Sequence, residues 1–300
     1  MPGQSIRLFL VDGSPQGLRT AQVGNWTGKA VVCPRTDLAR LGARTEARRT
    51  GVYILVGPSE TAPSGLGVYV GEADDVWSRL ASHDDKKDFW TWVILFVSTD
   101  DNLTKAHVRW LEATLVREMK KAKRAEIENG NEPGGGHLPE ADTADMIAYF
   151  ENVKLLLPTL GLNVLALDAP TAGKSRNDVL TLELRWEDAL AECRVINGQF
   201  VVQPGSTARV KEVDSLGEGS RALRRTLRDT GLLVPEEASA TLLRFTQEYA
   251  FDSPSAAAAV VSGTGLNGRT AWKLRGDEGL SYKAWQERQV DEAGERDEAS

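Results

Sequence analysis

Five side chains able to act on a phosphodiester follow one another at short spacings in the first half of the chain. They are two tyrosines, an arginine, a histidine and a glutamate: Tyr53, Tyr69, Arg79, His83 and Glu112. A guanidinium can bind a phosphate through paired hydrogen bonds and neutralise charge that grows in a transition state. A carboxylate can hold a divalent metal ion, and phenols or an imidazole can orient an attacking water. Together these are the groups needed to hydrolyse a phosphodiester around a single divalent metal ion.

The two tyrosines lie in apolar, β-favouring runs, Gly51–Val56 and Gly67–Gly71, separated by proline, serine and glycine. This pattern predicts two strands of a hairpin joined by a long loop. Alternation along the first strand places Tyr53 and Leu55 on one face. A tyrosine in such a strand is either a core residue with a satisfied hydroxyl or part of a site, and the strand pattern alone leaves both readings open.

Arg79 and His83 are four residues apart in a helix predicted over Asp74–His83, so they share one face, a turn apart. There Arg79 can bind a phosphate, and His83 can hydrogen-bond a nonbridging oxygen or position water. The alternative is an arginine on a solvated face and a histidine at a helix end.

Glu112 is placed unusually for a carboxylate. It belongs to a helix predicted over Thr104–Ile127, in which apolar residues recur at helical spacing (Val108, Leu111, Leu115 and Met119). At roughly 100° per residue, Glu112 lies beside this stripe with apolar neighbours on both sides. A buried carboxylate without a partner is costly. We therefore expect Glu112 either to pair with a neighbouring arginine or to coordinate a metal such as Mg²⁺, which keeps several waters and takes other ligands from a substrate phosphate.

The order and spacing of these residues resemble the motifs of the GIY-YIG endonucleases, a family that includes homing, restriction and excision-repair nucleases. The resemblance rests on the tripeptides Gly51-Val52-Tyr53 and Tyr69-Val70-Gly71, the spacings from Tyr69 to Arg79 to His83, the helical Glu112 and the later Asn129-Gly130-Asn131. It departs from the family pattern in having valine for isoleucine in both tripeptides and a long linker between them.

The resemblance implies a role for each matching residue. Tyr53 and Tyr69 would orient or deprotonate water, without an assignment of which one is the base. Arg79 would stabilise the transition state, Glu112 would hold Mg²⁺ or Mn²⁺, and Asn131 would brace the site. The implied fold is α+β: a small mixed β-sheet flanked by helices, here with a β-rich N-terminal extension and a mixed α/β C-terminal region.

The chain is predicted to have six consecutive segments. These are a β-rich N-terminal extension (1–50), the nuclease domain (51–133), a helical and loop connector (134–175), a mixed α/β middle region (176–246), a small accessory module (247–285) and an acidic disordered tail (286–300).

The accessory module opens with a helix start signal. Ser253 suits the N-cap and Pro254 the first helical position, Gly263 suits the end, and a strand is predicted over Arg269–Leu274. The module resembles a small domain of unknown function that accompanies some GIY-YIG proteins, and the RAMA modules proposed to sense modified DNA. We hypothesise that it targets DNA; the alternative is a packing or dimerisation domain.

Five side chains are the candidate nucleic-acid contacts: Lys105 and Arg109 on the glutamate-bearing helix, and Arg269, Trp272 and Lys273 in the accessory module. For the first two, the alternative is a solvated helix face. The net charge of −7 argues mildly against a protein that coats nucleic acid, although local patches rather than the total govern phosphate contact.

The composition, 41% hydrophobic and 26% charged, is ordinary for a globular protein, and two cysteines are too few for a disulfide framework. With no apolar run long enough for a bilayer and no signal-peptide pattern at the N-terminus, we expect a cytoplasmic protein without a membrane partner.

The predicted function is a metal-dependent DNA endonuclease acting in restriction, defence or repair; the alternative is a catalytically silent DNA-binding or regulatory protein that retains the nuclease fold. Action on RNA stays open. DNA is the expected partner, and a homodimer or a partner protein of a defence or restriction system stays open as well.

Overall fold

A computed structural model of the protein describes residues 3–62, 64–84, 87–100, 102–131, 133–165, 179–196 and 198–298, without the side chains of residues 82–84, 278 and 292–298. The chain divides into two compact units, Met1–Ala166 and Leu167–Ser300. Helices and sheets occur in both, which confirms the predicted α+β class. None of the helices in the described ranges combines the length and the apolar character needed to cross a membrane.

The first unit alternates strands and helices. Its elements are β1 (Ile6–Leu10), β2 (Arg19–Val23), β3 (Gly28–Pro34), α1 (Leu38–Gly42), β4 (Gly51–Pro58), β5 (Leu66–Ala73), α2 (Val76–Asp84), β6 (Trp92–Ser98), α3 (Lys105–Ala122), β7 (Glu126–Ile127) and α4 (Glu140–Thr159), with short 3-10 helices at Arg35–Asp37 and Thr45–Arg48.

These strands form one seven-stranded sheet in the order β1-β2-β3-β6-β4-β5-β7. All neighbours are antiparallel except β5 and β7, which are parallel. The β-rich N-terminal segment and the predicted hairpin therefore belong to the same sheet. The two motif strands β4 and β5 are neighbours near one edge of it.

Strand alternation gives this sheet two buried faces. Val52, Ile54 and Val56 belong to the apolar cluster that includes residues of α3 and α4, whereas Tyr53 and Leu55 belong to the cluster that includes residues of α1 and α2. Burying one such aliphatic side chain stabilises the fold by roughly 1.5–3 kcal/mol. The fully buried run of β4 thus fixes its register, and with it the direction of each motif side chain.

Helices α2 and α3 differ at their ends from the sequence prediction. Helix α2 begins at Val76 rather than Asp74 because the Asp75 carboxylate accepts a hydrogen bond (2.9 Å) from the Ser78 amide, as an N-cap does. Helix α3 ends at Ala122, not Ile127, because Lys123 adopts a left-handed conformation (φ 52°) that stops the helix. The chain then turns back to form β7 beside β5.

The second unit is built from short strands and four helices in the part of it that is described. Its elements are β8 (Thr181–Trp186), β9 (Ala189–Ile196), β10 (Gln199–Val202), β11 (Thr207–Arg209), α5 (Glu218–Asp229), β12 (Leu233–Glu236), β13 (Ser239–Phe245), β14 (Tyr249–Phe251), α6 (Pro254–Ser262), α7 (Gly268–Ala271), β15 (Lys273–Leu274), β16 (Asp277–Ser281) and α8 (Tyr282–Glu298). They form a six-stranded sheet, β14-β10-β9-β8-β15-β16, and a three-stranded sheet, β11-β13-β12.

The C-terminal part of this unit follows the sequence prediction at one helix and departs from it at two places. Helix α6 is confirmed: the Ser253 hydroxyl accepts from the Ala256 amide, and Gly263 ends the helix at φ 70°. The strand predicted over Arg269–Leu274 is wrong in its first half, because Asn267 caps the short helix α7 and only Lys273 and Leu274 pair as a strand.

The acidic segment predicted to be a disordered tail is instead part of α8 as far as Glu298. The segment is rich in glutamate, glutamine, arginine and alanine, which favour helix. Lys283 and Glu287, four residues apart on α8, lie within 3.6 Å.

Candidate active site

The strand register brings both motif tyrosines to one face of the sheet. Tyr53 on β4 is opposite Gly71 on β5, and Leu55 is opposite Tyr69, so the four residues share that face. Tyr53 has no exposed surface, whereas Tyr69 is half-buried. Their ring centroids are 6.2 Å apart at an interplanar angle of 41°.

Gly71 is required for this arrangement. A Cβ atom built on Gly71 would overlap the phenol ring of Tyr53 and its hydroxyl oxygen. The ring therefore lies directly against the backbone of β5, which explains the glycine in the second tripeptide by close packing.

Arg79 acts electrostatically on both phenols. It is exposed on α2, and its guanidinium lowers the pKa of both Tyr53 and Tyr69. Burial is the larger effect and raises both pKa values; the charge of Tyr69 adds to the rise for Tyr53, and that of Glu112 for Tyr69. A phosphate bound by Arg79 would thus lie close to two phenolic hydroxyls.

Lys87 is a second cation at Tyr69, and sequence analysis did not identify it. Its Nζ lies 4.2 Å from the centroid of the Tyr69 ring, a cation–π distance. Lys87 belongs to the segment between α2 and β6, and neither spacing nor periodicity connects it with a residue on β5.

Glu112 is half-buried on α3. Burial raises its pKa to about 7, and the neighbouring carboxylate of Glu72 adds to the rise. Lys105, Arg79 and Arg109 oppose the rise, so three cations lie within electrostatic reach of this carboxylate. Because burial disfavours the charged form of this carboxyl group, a nearby cation would stabilise that form.

Glu72, on the α3 side of β5, holds the two cations predicted to bind nucleic acid. Lys105 Nζ lies 2.7 Å from Glu72 Oε2 and 3.4 Å from Asp74 Oδ2. Arg109 Nε lies 3.8 Å from Glu72 Oε1. The side chains of Lys105 and Arg109 remain 40% and 58% exposed, so each keeps a surface that a phosphate can reach.

The residue that braces β5 is Asn129. Its side-chain amide accepts a hydrogen bond from the Val70 amide (3.0 Å) and donates one to the Val70 carbonyl (2.8 Å). Asn129 is 9% exposed, whereas Asn131, to which the family resemblance assigns the bracing role, is exposed. Asn129 satisfies the backbone of the strand between the two motif residues Tyr69 and Gly71.

His83 lies in the last turn of α2, but its side chain is outside the described part of the chain. Its predicted role stays a prediction. Among the described residues, no group of three or more histidine, cysteine, aspartate or glutamate side chains is arranged to hold a metal ion. A metal here would take Glu112 as its protein ligand and the rest of its shell from water and phosphate.

The three candidate contacts in the second unit differ in accessibility. Trp272 has no exposed surface, and its indole nitrogen donates to the Pro254 carbonyl (3.0 Å). It is a core residue of this unit and presents no ring to a nucleic acid, which corrects the sequence interpretation. Arg269 is exposed and its Nε donates to Gln286 (3.0 Å); Lys273 is half-buried on β15.

Comparison with known proteins bears on the second unit. Residues 182–286 match a family described as a domain of unknown function, DUF4357. The match runs from β8 into α8, and it agrees with the expectation of a C-terminal domain of unknown function. No curated protein and no solved structure matches the chain.

Proposed function

We propose that the first unit is a metal-dependent DNA endonuclease of the GIY-YIG type. The observation that supports this most strongly is the convergence of Tyr53, Tyr69, Arg79 and Glu112, which come from two strands and two helices. Arg79 lowers the pKa of both tyrosines and opposes the rise in the pKa of Glu112, and the Glu112 carboxylate raises the pKa of Tyr69. Perturbed titratable groups gathered in one place are typical of functional sites. We also propose that the first unit has the GIY-YIG fold.

In this proposal, Arg79 binds the scissile phosphate and neutralises the charge that grows on its nonbridging oxygens. Tyr69, the less buried phenol, orients the attacking water. Tyr53 is fully buried against Gly71 and positions Tyr69 and Arg79. Lys87, above the Tyr69 ring, favours any negative charge that this phenol acquires.

Glu112 is the residue that would hold Mg²⁺ or Mn²⁺. Its donor chemistry fits a divalent cation. Burial and the neighbouring Glu72 carboxylate both disfavour the charged form of Glu112, and a bound cation would stabilise that form. The metal would supply positive charge at the phosphate and lower the pKa of a bound water. The residues of this chain position the phosphate and water for that chemistry.

DNA would approach along the exposed parts of Lys105 and Arg109 on α3. The domain of unknown function would target the nuclease to DNA, with modified bases as the proposed signal and with Arg269 and Lys273 as the remaining candidate contacts. Restriction, phage defence and repair are the proposed settings, in the cytoplasm.

The test is cleavage of supercoiled plasmid DNA, unmodified and carrying modified bases, with Mg²⁺ or Mn²⁺ and with EDTA. Metal-dependent nicking or linearisation supports the nuclease, and a preference for one plasmid supports targeting by modification. Binding of both plasmids without cutting under any metal condition would support a catalytically silent DNA-binding or regulatory protein instead. A parallel assay on single-stranded RNA separates the two classes of nucleic acid.

A further inference from the structure

Strand β1 is an edge strand with two large apolar side chains exposed. Within the described residues it pairs only with β2, at the end of the seven-stranded sheet. Leu8 is 49% exposed and Phe9 is 58% exposed, on opposite faces. Proteins usually keep such edges short, charged or covered, because an open apolar edge is a template for another strand.

The hydrogen bonds at the two ends of the β1–β2 pair show which backbone groups face outward. The Gly24 amide donates to the Ser5 carbonyl and the Val11 amide donates to the Leu18 carbonyl, so odd-numbered residues of this strand bond to β2. The N–H and C=O groups of Ile6, Leu8 and Leu10 therefore point away from β2, toward the open edge.

When β1 pairs antiparallel with β1 of a second copy, only one register bonds the outward backbone groups of all three residues to residues of the other β1. Centred on Leu8, it sets Leu8 opposite its own copy and Ile6 opposite Leu10. At least four hydrogen bonds form even though the Leu10 carbonyl already accepts from the Gly13 amide. The same register sets Arg7 opposite Phe9 of the other copy, in reach of a cation–π contact on one face.

The neighbouring registers are poorer. A pairing centred on Arg7 sets two arginines opposite each other, and like charges in direct opposition are destabilising. A pairing centred on Phe9 leaves Ile6 outside the ladder and forms fewer backbone bonds. The sequence Ile6–Leu10 is thus complementary to itself in the Leu8-centred register and in no shifted one.

The geometry points to a homodimer in which two copies of β1 pair antiparallel about Leu8 and join two seven-stranded sheets into one. This inference is independent of the proposed nuclease activity. A five-residue strand supplies an interface at the small end of the range for specific complexes, so the dimer dissociates reversibly in the micromolar range.

Two cysteine variants of the full chain test the register. In the Leu8-centred pairing, Leu8→Cys places two Cα atoms about 5.5 Å apart, within the range that a disulfide bridges. Phe9→Cys faces Arg7 of the other copy, and the two new cysteines are about 8 Å apart, too far for a disulfide. Cys33 and Cys193 are buried and give little background.

We expect mild oxidation to cross-link Leu8→Cys into a covalent dimer and to leave Phe9→Cys monomeric on a non-reducing gel. In sedimentation equilibrium, the parent should pass from monomer to dimer with concentration. Leu8→Pro should stay monomeric, since it removes only an outward N–H and leaves the β1–β2 bonds intact.

A parent that remains monomeric at high micromolar concentration would overturn the inference. So would equal cross-linking of the two cysteine variants, or a Leu8→Pro variant that dimerises like the parent. Thermal unfolding of each variant confirms that the chain is folded, and the cross-linking result stands even if Leu8→Pro is unstable.

Discussion

Glu112→Gln should stabilise the metal-free protein at alkaline pH, because the glutamate carboxylate is charged in a site that disfavours charge. Its pKa is raised from 4.5 to about 7, mainly by burial and then by Glu72. A raised carboxyl pKa contributes stability below pH 4.5 that is lost as the pH rises through about 7. The neutral amide of glutamine does not suffer this loss.

The magnitude follows from the size of the pKa change. The rise in the Glu112 pKa from 4.5 to about 7 corresponds to about 3 kcal/mol in the free energy of unfolding, at about 1.4 kcal/mol per pKa unit. Since Glu112 is only half-buried, solvent screening reduces this to roughly 1–2 kcal/mol. We expect Glu112→Gln to be more stable than the parent by that amount at pH 8, with the gap closing toward pH 4.5.

The assay is urea unfolding in EDTA, monitored by circular dichroism, at several pH values from about 4.5 to about 8.5. This is the range over which the raised pKa of Glu112 changes the free energy of unfolding. Taking the difference in the free energy of unfolding between parent and variant cancels the contributions of the titratable groups that both proteins share. Glu118→Gln removes one charge from the same helix and is the control. A gap that stays constant with pH, or a parent that is more stable at pH 8, would refute the assigned environment of Glu112.

Three further substitutions test the packing around the site and in the second unit. Gly71→Ala should displace the Tyr53 ring and reduce cleavage at least tenfold in a plasmid assay, with the circular dichroism spectrum unchanged. Asn129→Ala should lower the free energy of unfolding by about 1–3 kcal/mol in urea, since both Val70 backbone groups lose their partner. Arg224→Ala should cost about 3–5 kcal/mol in thermal or urea unfolding, because this arginine is fully buried and pairs with a carboxylate at 2.9 Å.

Each of these has a matched control nearby in the chain. Gly130→Ala meets no atom within 4 Å and should leave cleavage unchanged. Asn131→Ala and Arg225→Ala alter exposed neighbours, and each should change stability by no more than about 0.5 kcal/mol. A control as damaging as its test variant would show that the assigned contact is not the cause.

The hairpin and the helices that carry the motif residues could be predicted because local patterns specify them. The uninterrupted apolar run of β4, the turn formers after it, and the apolar stripe of α3 all follow from short-range periodicity. The environment expected for Glu112 follows in the same way, since its position beside the stripe depends only on helix geometry.

The contacts between distant elements could not be predicted. Glu72 pairs with Lys105, and Lys87 covers Tyr69, only because the β5 register and the packing of α3 bring them together. The bracing amide at Asn129 depends on the path of the chain after α3. That helix ends at Ala122 because the next residue, Lys123, is in a left-handed conformation, where the sequence has no glycine to mark the stop.

Trp272 shows the same limit in the second unit. The sequence prediction groups it with Arg269 and Lys273 as a nucleic-acid contact, whereas the short helix α7 turns it inward, where its indole nitrogen donates to the Pro254 carbonyl. A four-residue helix is too short to leave a periodic pattern that would have assigned its buried side.

The most direct test of the central claim is single-turnover cleavage of plasmid DNA with Mg²⁺ by the parent, Arg79→Ala and Glu112→Gln. Arg117→Ala, which changes an exposed arginine on α3, is the control. We expect both site variants to lose about 100-fold or more in rate while still binding DNA, and the control to cut like the parent. Cleavage by both site variants at the parental rate would refute the proposed nuclease site, because the phosphodiester would then be hydrolysed without the groups assigned to bind the phosphate and the metal.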